Sequence, residues 1–326
     1  MISTTSNALT KLRQEVVGTS TRVMVLLIVL LFILGWQLEG GLFLGSTNLD
    51  GIAIAIAVPL FIAVAAAVGL LGGIIDLSVG SNAAFGAATF VVAMNSGMPA
   101  MAAALVSIGI GIVIGLINGT VCVIFGAEPL IATIGSLSAL RGLTLVILGG
   151  NSKPAFLAPL FKFTNATYFG IPVLFTLIVA LAVLCALALT FTRFGRHIRA
   201  TGGDPAAARR AGIGVSRIKM ILFIMTSLFA TIGGILYVGM DGSAQTTLGT
   251  GLELQVYAPI LLGGYSLTRG GVGNVMGAVS GVLALAVVSN LLDLLGANPY
   301  WSYIVTGMVV IAAVYADGLR GGERFE

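Results

Sequence analysis

The chain has 326 residues, of which 58% are hydrophobic and only 9% carry a charge. Soluble domains carry about 25% charged residues, so this composition excludes a soluble protein and predicts one polytopic membrane domain over residues 1–326. The formal net charge is +4, but the cations lie in segments between apolar runs rather than along a groove. We therefore predict membrane lipid, and no nucleic acid, as a partner.

The residue types leave little room for catalysis. One histidine, two cysteines in separate apolar runs and no cluster of carboxylates predict no metal site, no cofactor and no catalytic centre. No lysine follows a glycine, so the chain has no phosphate-binding loop of the Walker A type and cannot itself be a standard P-loop ATPase.

The N-terminal segment, residues 1–21, is polar and is predicted to be a cytosolic tail. Arg22 then precedes an apolar run over 23–36. That run is followed by Gln37, Leu38 and Glu39 rather than by a small-residue cleavage site, so we expect a retained first membrane span and not a signal peptide.

Nine further apolar runs follow, and they predict an all-α membrane protein with about ten transmembrane helices. The runs cover residues 51–71, 80–95, 99–125, 130–148, 171–191, 220–240, 254–267, 272–295 and 300–316. An even number of spans puts both termini on one side. Thirteen of the sixteen lysines and arginines then share that side, which the positive-inside bias identifies as the cytoplasm. Only Lys153 and Lys162 fall outside, and Arg141 lies within a span.

The most charged stretch, residues 192–219, has seven cations and one carboxylate and is predicted to be a cytoplasmic loop. Asp204 can cap a short helix that has Pro205 at its first position and ends before Gly212. A solvated loop without a partner is one interpretation. The capped helix flanked by glycines favours a docking element for another protein. The candidate docking residues are Arg196, Asp204, Pro205, Arg209, Arg210 and Gly212.

Two halves of the chain share a weak internal repeat. The interval from Asn118 to Gly135 is 17 residues, and that from Asn290 to Gly307 is the same. An acidic residue stands at the start of a run rich in small residues in each half. The related spans are five apart, an odd offset, so the sequence predicts two inverted-topology repeats, as in transporters whose sites lie at the repeat interface.

Polar and ionisable residues inside or beside the spans are the candidates for the substrate pathway. They are Asp76, Ser78, Asn118, Arg141, Glu253, Asn290 and Trp301. Each also has a purely structural interpretation. Asp76 and Ser78 can cap a half-helix, Arg141 can be a paired structural charge, both asparagines can join helices, and Trp301 can belong to the interfacial aromatic belt.

Five segments resemble the membrane permease of monosaccharide ABC importers of the ribose type, in the branched-chain amino acid/ribose permease superfamily. They are GIIDLSVGS (73–81), ATIGSLSALRG (132–142), TRFGRHIRATGGDPAAARRAGI (192–213), LLGGYSLTRGGVG (261–273) and NLLDLLGANPYW (290–301). The resemblance covers about residues 47–315. It implies a permease in the bacterial cytoplasmic (inner) membrane, served by a periplasmic sugar-binding protein and a cytoplasmic ABC ATPase, and completed by a second permease copy or a paralogue.

The hypothesis is therefore a non-enzymatic permease subunit. It forms the pathway for a monosaccharide or similar small polyol, and loop 192–219 couples it to a separate ATPase. The alternative is a self-contained secondary transporter or channel for a small solute. A secondary transporter needs carboxylates for its coupling ion near the membrane midplane. The acidic residues here lie mainly at predicted span ends, which favours the importer subunit.

Overall fold

A computed structural model describes residues 19–266, 269–298 and 300–321. Nearly the whole predicted cytosolic tail, together with Pro299 and Arg324, lies outside the described residues. The helices are α1 (Thr19–Phe43), α2 (Ser46–Leu71), α3 (Val79–Asn95), α4 (Ala100–Gly119, extended by a π-helical turn Thr120–Ile124), α5 (Pro129–Leu148), α6 (Ala158–Thr164), α7 (Val173–Phe191), α8 (Arg193–Gly203), α9 (Pro205–Arg210), α10 (Val215–Asp241), α11 (Leu252–Leu262), α12 (Val275–Leu294) and α13 (Trp301–Gly321).

Two small antiparallel pairs are the β-structure of the described residues: β1 (Lys153–Pro154) with β4 (Ser243–Ala244), and β2 (Thr167–Tyr168) with β3 (Ile171–Pro172). The all-α membrane class is confirmed. Each of the ten predicted apolar runs coincides with one helix. Seven of these (α1, α2, α4, α5, α7, α10 and α12) are long and apolar enough to cross a membrane by length and composition. The helices α3, α11 and α13 match the remaining three runs.

Helix α2 is the centre of the molecule. Its sequence is apolar on every face, and 83% of its most hydrophobic window is buried, against 11% for α1. A helix that is hydrophobic all round is stable only when it is enclosed. The outer helices instead expose large apolar side chains, as expected of surfaces that face lipid.

Helix contacts in the two halves follow one pattern. Helix α2 packs on α11 and α12, and its counterpart α10 packs on α3 and α4. Likewise α3 packs on α5 as α11 packs on α13, and α2 and α10 pack on each other. The chain direction is also reversed, because α2 ends beside α8 while α10 begins just after α9. This is the packing that an inverted repeat requires. Helices α1 and α7 do not follow it, since they pack on α12 and on α2 respectively.

The charged stretch 192–219 has more helix than the sequence predicts. It forms α8 and α9, and α10 already begins at Val215, so Arg217 and Lys219 belong to α10 rather than to a loop. The short capped helix spans Pro205–Arg210, one residue less than the predicted Pro205–Ala211.

Small residues bring the central helices into backbone contact. A Cβ added at Gly234 of α10 would overlap the carbonyl oxygen of Ala83 in α3 and lie 3.0 Å from the Ala87 nitrogen. Such close approach is typical of helix packing in membranes, where dispersion and not a hydrophobic driving force holds helices together.

We therefore expect Gly234→Ala to destabilise the protein by about 1–3 kcal/mol, the usual cost of overpacking. Gly109→Ala in α4 is the control, because a Cβ there meets no atom within 4 Å and alanine favours a helix by about 1 kcal/mol over glycine. Thermal unfolding in detergent, followed by size-exclusion chromatography, measures both. Equal melting temperatures for the two variants would contradict this view of the α3–α10 contact.

Candidate functional site

A non-helical segment, residues 72–78, interrupts the bundle between α2 and α3. Gly73 has a φ of +73°, a left-handed conformation that glycine adopts without strain and that takes the chain out of the α2 direction. Both Asp76 and Ser78 within it are fully buried. Irregular backbone at membrane depth is tolerated only when protein or water satisfies its polar groups.

Side chains from both halves satisfy this backbone. The Tyr257 hydroxyl of α11 accepts from the Asp76 backbone N–H at 2.9 Å and lies 3.2 Å from the Asp76 carbonyl oxygen, to which it donates. The Thr133 hydroxyl of α5 accepts from the Leu77 N–H at 3.1 Å. Segment 72–78 is therefore clamped between α5 and α11.

The Asp76 carboxylate also accepts hydrogen bonds on both oxygens. Its Oδ1 accepts from the backbone N–H (3.0 Å) and the hydroxyl of Ser78, and its Oδ2 accepts from the Thr226 hydroxyl of α10 at 3.3 Å. The predicted capping of a half-helix by this carboxylate is wrong in detail. The Asp76 carboxylate accepts hydrogen bonds from Ser78, which precedes the helix, and not from an N–H group in the first turn of α3. Helix α3 therefore begins after Ser78 without a side-chain cap.

Asn118, at the end of α4, extends the network. Its amide donates to the Ser78 hydroxyl at 3.0 Å, and its carbonyl accepts from the Ser136 hydroxyl of α5. Three predicted pathway residues, Asp76, Ser78 and Asn118, thus lie on one continuous hydrogen-bonded chain. For Asn118 this is the interhelical role that the sequence suggested as its structural interpretation.

Arg141 and Glu253 form a second cluster. The Arg141 guanidinium of α5 donates to the Leu248 carbonyl at 2.7 Å and interacts electrostatically with the Glu253 carboxylate in the first turn of α11. The loop that carries Leu248 also packs on α3, since a Cβ at Gly80 would lie 2.5 Å from the Gly249 carbonyl oxygen. The arginine therefore fastens the loop before α11 to the opposite half of the molecule.

Asn290 and Trp301 lie apart from both clusters. The amide of Asn290 in α12 exchanges two hydrogen bonds with Asn48 in α2, at 2.7 and 3.0 Å. Asn290 also lines a cavity of about 440 Å³ between α2, α11, α12 and α13. Trp301 begins α13, is 51% exposed and is not among the residues that line the cavity, which fits the aromatic-belt interpretation.

Polar groups of the cavity lining come from three of its four helices. The main ones are Gln255, Ser289, Asn290, Asp293, Tyr303 and Thr306. Of these only Asn290 was a candidate from the sequence. Asp293 lies within the quoted motif NLLDLLGANPYW, so an acidic residue near the end of an apolar run was the signal that could have identified it.

At the other end of α2, the predicted capped helix is confirmed. Asp204 Oδ1 accepts from the backbone N–H groups of Ala206 and Ala207, both at 2.9 Å. The bond from Ala207, then that from Ala206 and the charge of Arg210, hold the pKa of the Asp204 carboxyl below its ordinary value, so the cap is ionised at neutral pH. Pro205 is the first helical residue, and Gly212 has a φ of +78° just beyond the end. Arg209 and Arg210 are exposed.

Helix α8, which the sequence did not predict, anchors this element to the bundle. A Cβ at Gly202 would overlap the Leu71 carbonyl oxygen and lie 2.6 Å from the Gly271 nitrogen. Arg199 donates to the Gly273 carbonyl at 3.0 Å. Gly202 also faces Gly73, where a Cβ would lie 3.3 Å from the Gly202 Cα. The charged end of the molecule therefore rests directly on segment 72–78.

Residues that complete the Asp76 network were missed by sequence reasoning. They are Thr133, Ser136, Thr226 and Tyr257. Each carries a hydroxyl within an apolar run, where Ser and Thr often bond only the preceding turn of their own helix and a tyrosine is compatible with plain packing. Only the folded structure shows that these four residues belong to one hydrogen-bonded network around Asp76.

Comparison with known proteins gives a consistent result. Residues 48–314 match the family model described as branched-chain amino acid transport system / permease component. The L-arabinose transport system permease protein AraH of Escherichia coli (strain K12) is 34% identical over 83% of this chain and 82% of its own length.

Two further relatives are similar over most of their length. The ribose import permease protein RbsC of the same strain is 34% identical, covering 85% of this chain and 88% of the relative. The galactose/methyl galactoside import permease protein MglC of Haemophilus influenzae is 32% identical, covering 91% and 94%. No solved structure matches the chain. By the family match over most of its length and by these relatives, the chain belongs to this family of membrane transport permease components.

Proposed function

We propose that the chain is the permease subunit of an ATP-driven importer that carries a monosaccharide or similar small polyol across the bacterial inner membrane. Its partners are a cytoplasmic ABC ATPase, a periplasmic sugar-binding protein and a second permease copy or paralogue. The relatives are named as permeases for L-arabinose, for ribose and for galactose or methyl galactoside, which supports a monosaccharide as the cargo. They also favour the importer subunit over a self-contained secondary transporter or channel.

The observation that carries the proposal is the capped, cationic α9 held on a rigid base. Helix α9 is only six residues long, and short isolated helices are unstable in water. Two cap hydrogen bonds, a proline start and the packing of α8 on α2 stabilise it. A rigid element with exposed Arg209 and Arg210 is suited to bind an acidic groove of an ATPase.

A short structural path links this element to the centre of the bundle. Movement of α8–α9 acts first on Gly202, which contacts Leu71 and Gly73 through backbone atoms. Segment 72–78 then connects to α10 through Thr226 and to α11 through Tyr257. Because backbone contacts cannot be relaxed by changing a side-chain rotamer, force applied at α9 is transmitted to the buried Asp76.

Reconstitution tests the proposed function. The chain, its ATPase and its binding protein in proteoliposomes are expected to accumulate a labelled pentose or hexose only with ATP and with all three components. Uptake of the same sugar by vesicles that contain the purified chain alone, without ATP, would refute the importer proposal and support a channel or secondary transporter.

Charge reversal at α9 is expected to uncouple the complex. Arg209→Glu with Arg210→Glu should reduce ATP-driven uptake at least tenfold, because like charges would then meet across the interface. The matched control is Arg193→Glu with Arg217→Glu, which makes the same charge change at exposed positions flanking α9. Asp204→Ala, which removes both cap bonds, should reduce uptake less. Normal uptake and assembly of the α9 double variant would show that α9 is not the coupling element.

The proposed orientation predicts which surfaces a membrane-impermeant thiol reagent reaches. The background is a chain with both half-buried cysteines, Cys122 and Cys185, replaced by alanine. In intact spheroplasts, Lys162→Cys should react and Arg209→Cys should react only after lysis, because residues 151–168 are expected outside and α9 inside. Rapid labelling at position 209 in intact cells would reverse the topology.

Arg141→Ala should lower uptake, since the Leu248 carbonyl loses a charged hydrogen bond of roughly 1.5–3 kcal/mol and Glu253 loses a neighbouring cation. Arg141→Lys should restore uptake only in part, because an ammonium keeps the charge near Glu253 but lacks the planar guanidinium that donates to the Leu248 carbonyl. Uptake normalised to permease abundance distinguishes lost function from lost protein. Wild-type uptake and abundance in the alanine variant would show that this contact is dispensable.

A further inference from the structure

We propose that the cavity between α2, α11, α12 and α13 is a binding site for one neutral polyhydroxylated solute within each permease chain. The inference rests on the proposed function for the nature of the cargo. It adds that the permease itself contacts and discriminates the solute, rather than passing on whatever a binding protein delivers.

The dimensions of the cavity suit a small solute. Its volume is about 440 Å³, within the range of roughly 300–1,000 Å³ that is common for small-molecule sites. Ile52, Ile56 and Pro59 of α2 form an apolar wall. An apolar wall opposite a few convergent polar groups is the usual construction of a small-molecule site.

The polar groups match hydroxyl-rich ligands. Gln255 of α11 and Asn290 of α12 supply amides, while Ser289 and Tyr303 supply hydroxyls. Each of these can both donate and accept, as a sugar hydroxyl does. The Asn48 amide holds Asn290 in place and leaves it one N–H and one lone pair for a ligand.

Charge determines which solutes are admitted. Asp293 is exposed to the cavity, and no lysine or arginine is among the residues that line it. A carboxylate accepts hydrogen bonds from neutral hydroxyls and repels anions. The site should therefore bind neutral sugars and polyols and exclude sugar phosphates and sugar acids.

The position of the cavity is also informative. It is lined by the first half of α2, residues 51–59, whereas Leu71 at the end of α2 contacts Gly202. Helix α2 has 26 residues and is about 39 Å long at 1.5 Å per residue. The cavity therefore lies toward the end of the molecule opposite α9, which is the outer side in the proposed topology.

A second, smaller cavity lies at the α9 end of the molecule. This is the end at which the inverted repeat would place an equivalent of the larger cavity. The smaller cavity has a volume of about 260 Å³ and is lined by segment 72–78 and the starts of α5 and α10, with Gly202 and Pro205 over it. The starts of α5 and α10 are the counterparts of the starts of α13 and α2 under exchange of the halves. Residues of α8 and α9 line the smaller cavity, whereas none of them lines the larger one.

Cysteine protection tests binding directly, without turnover. Ser289→Cys in the cysteine-free chain, within the assembled complex in nanodiscs, is treated with a small maleimide. A sugar that the complex transports is expected to slow the reaction at least threefold at millimolar concentration, and its phosphate ester should not. If neither compound slows the reaction, if both slow it equally, or if only added phospholipid does, the cavity is not a sugar site.

Transport kinetics separate this inference from the proposed function. Gln255→Ala and Asp293→Asn should each reduce sugar uptake at least fivefold while assembly with the ATPase is unchanged. The matched controls, Gln245→Ala and Asp241→Asn, change the same residue types outside the lining and should behave like the parent. If the parent imports sugar and both cavity variants match it, the cavity inference fails and the importer remains. If the parent imports no sugar, the proposed function itself fails.

Discussion

The fold depends on satisfying the polar backbone of residues 72–78, a non-helical segment that is largely buried within the bundle. An interrupted helix in an apolar bundle leaves N–H and C=O groups that each cost several kcal/mol, about 2–7, when unpaired. The chain meets this requirement with hydroxyls from other helices, Thr133 and Tyr257, and with the Asp76 carboxylate, which orders the segment around Ser78. These groups come from both halves of the repeat, so the interruption is also the point at which the halves are tied together.

The same segment is the one that the charged end of the molecule contacts. Glycine at 73, 202 and 271 brings α8, the end of α2 and the loop before α12 to backbone contact, and a larger residue at any of the three would separate them. A hydrogen bond from Gly271 N–H to the Leu71 carbonyl at 2.9 Å closes this joint. Helix α9, which we propose binds an ATPase, is therefore joined through α8 and these backbone contacts to the buried network around Asp76.

The sequence predicts well what is local and less well what is distant. Each of the ten apolar runs predicts a helix that the structure contains, and Asp204, Pro205 and Gly212 predict the capped helix, because apolar helices and caps are set by neighbours along the chain. Helix α8 was missed because its charges and terminal glycines are typical of a loop. Its burial of Ile198 and its contact at Gly202 depend on α2. The partners of Asp76 were missed for a related reason: Thr226 and Tyr257 are 150 and 181 residues away, and no periodicity connects them.

The two halves are alike in packing but differ in the length of one helix and in the cavities at their ends. Helix α3 has 17 residues and fills the space beside α4 and α10, where Gly234 and Ala83 touch. Its counterpart α11 has only 11 residues, too few to span a bilayer core of about 30 Å. The larger cavity lies beside the first turns of α11, between α2, α12 and α13, and is lined by Gln255 and Asp293. An exact repeat would give two equivalent cavities, one at each end of the molecule. The larger and more polar cavity lies at the end away from α9, so the two ends of the molecule present unequal surfaces to a solute.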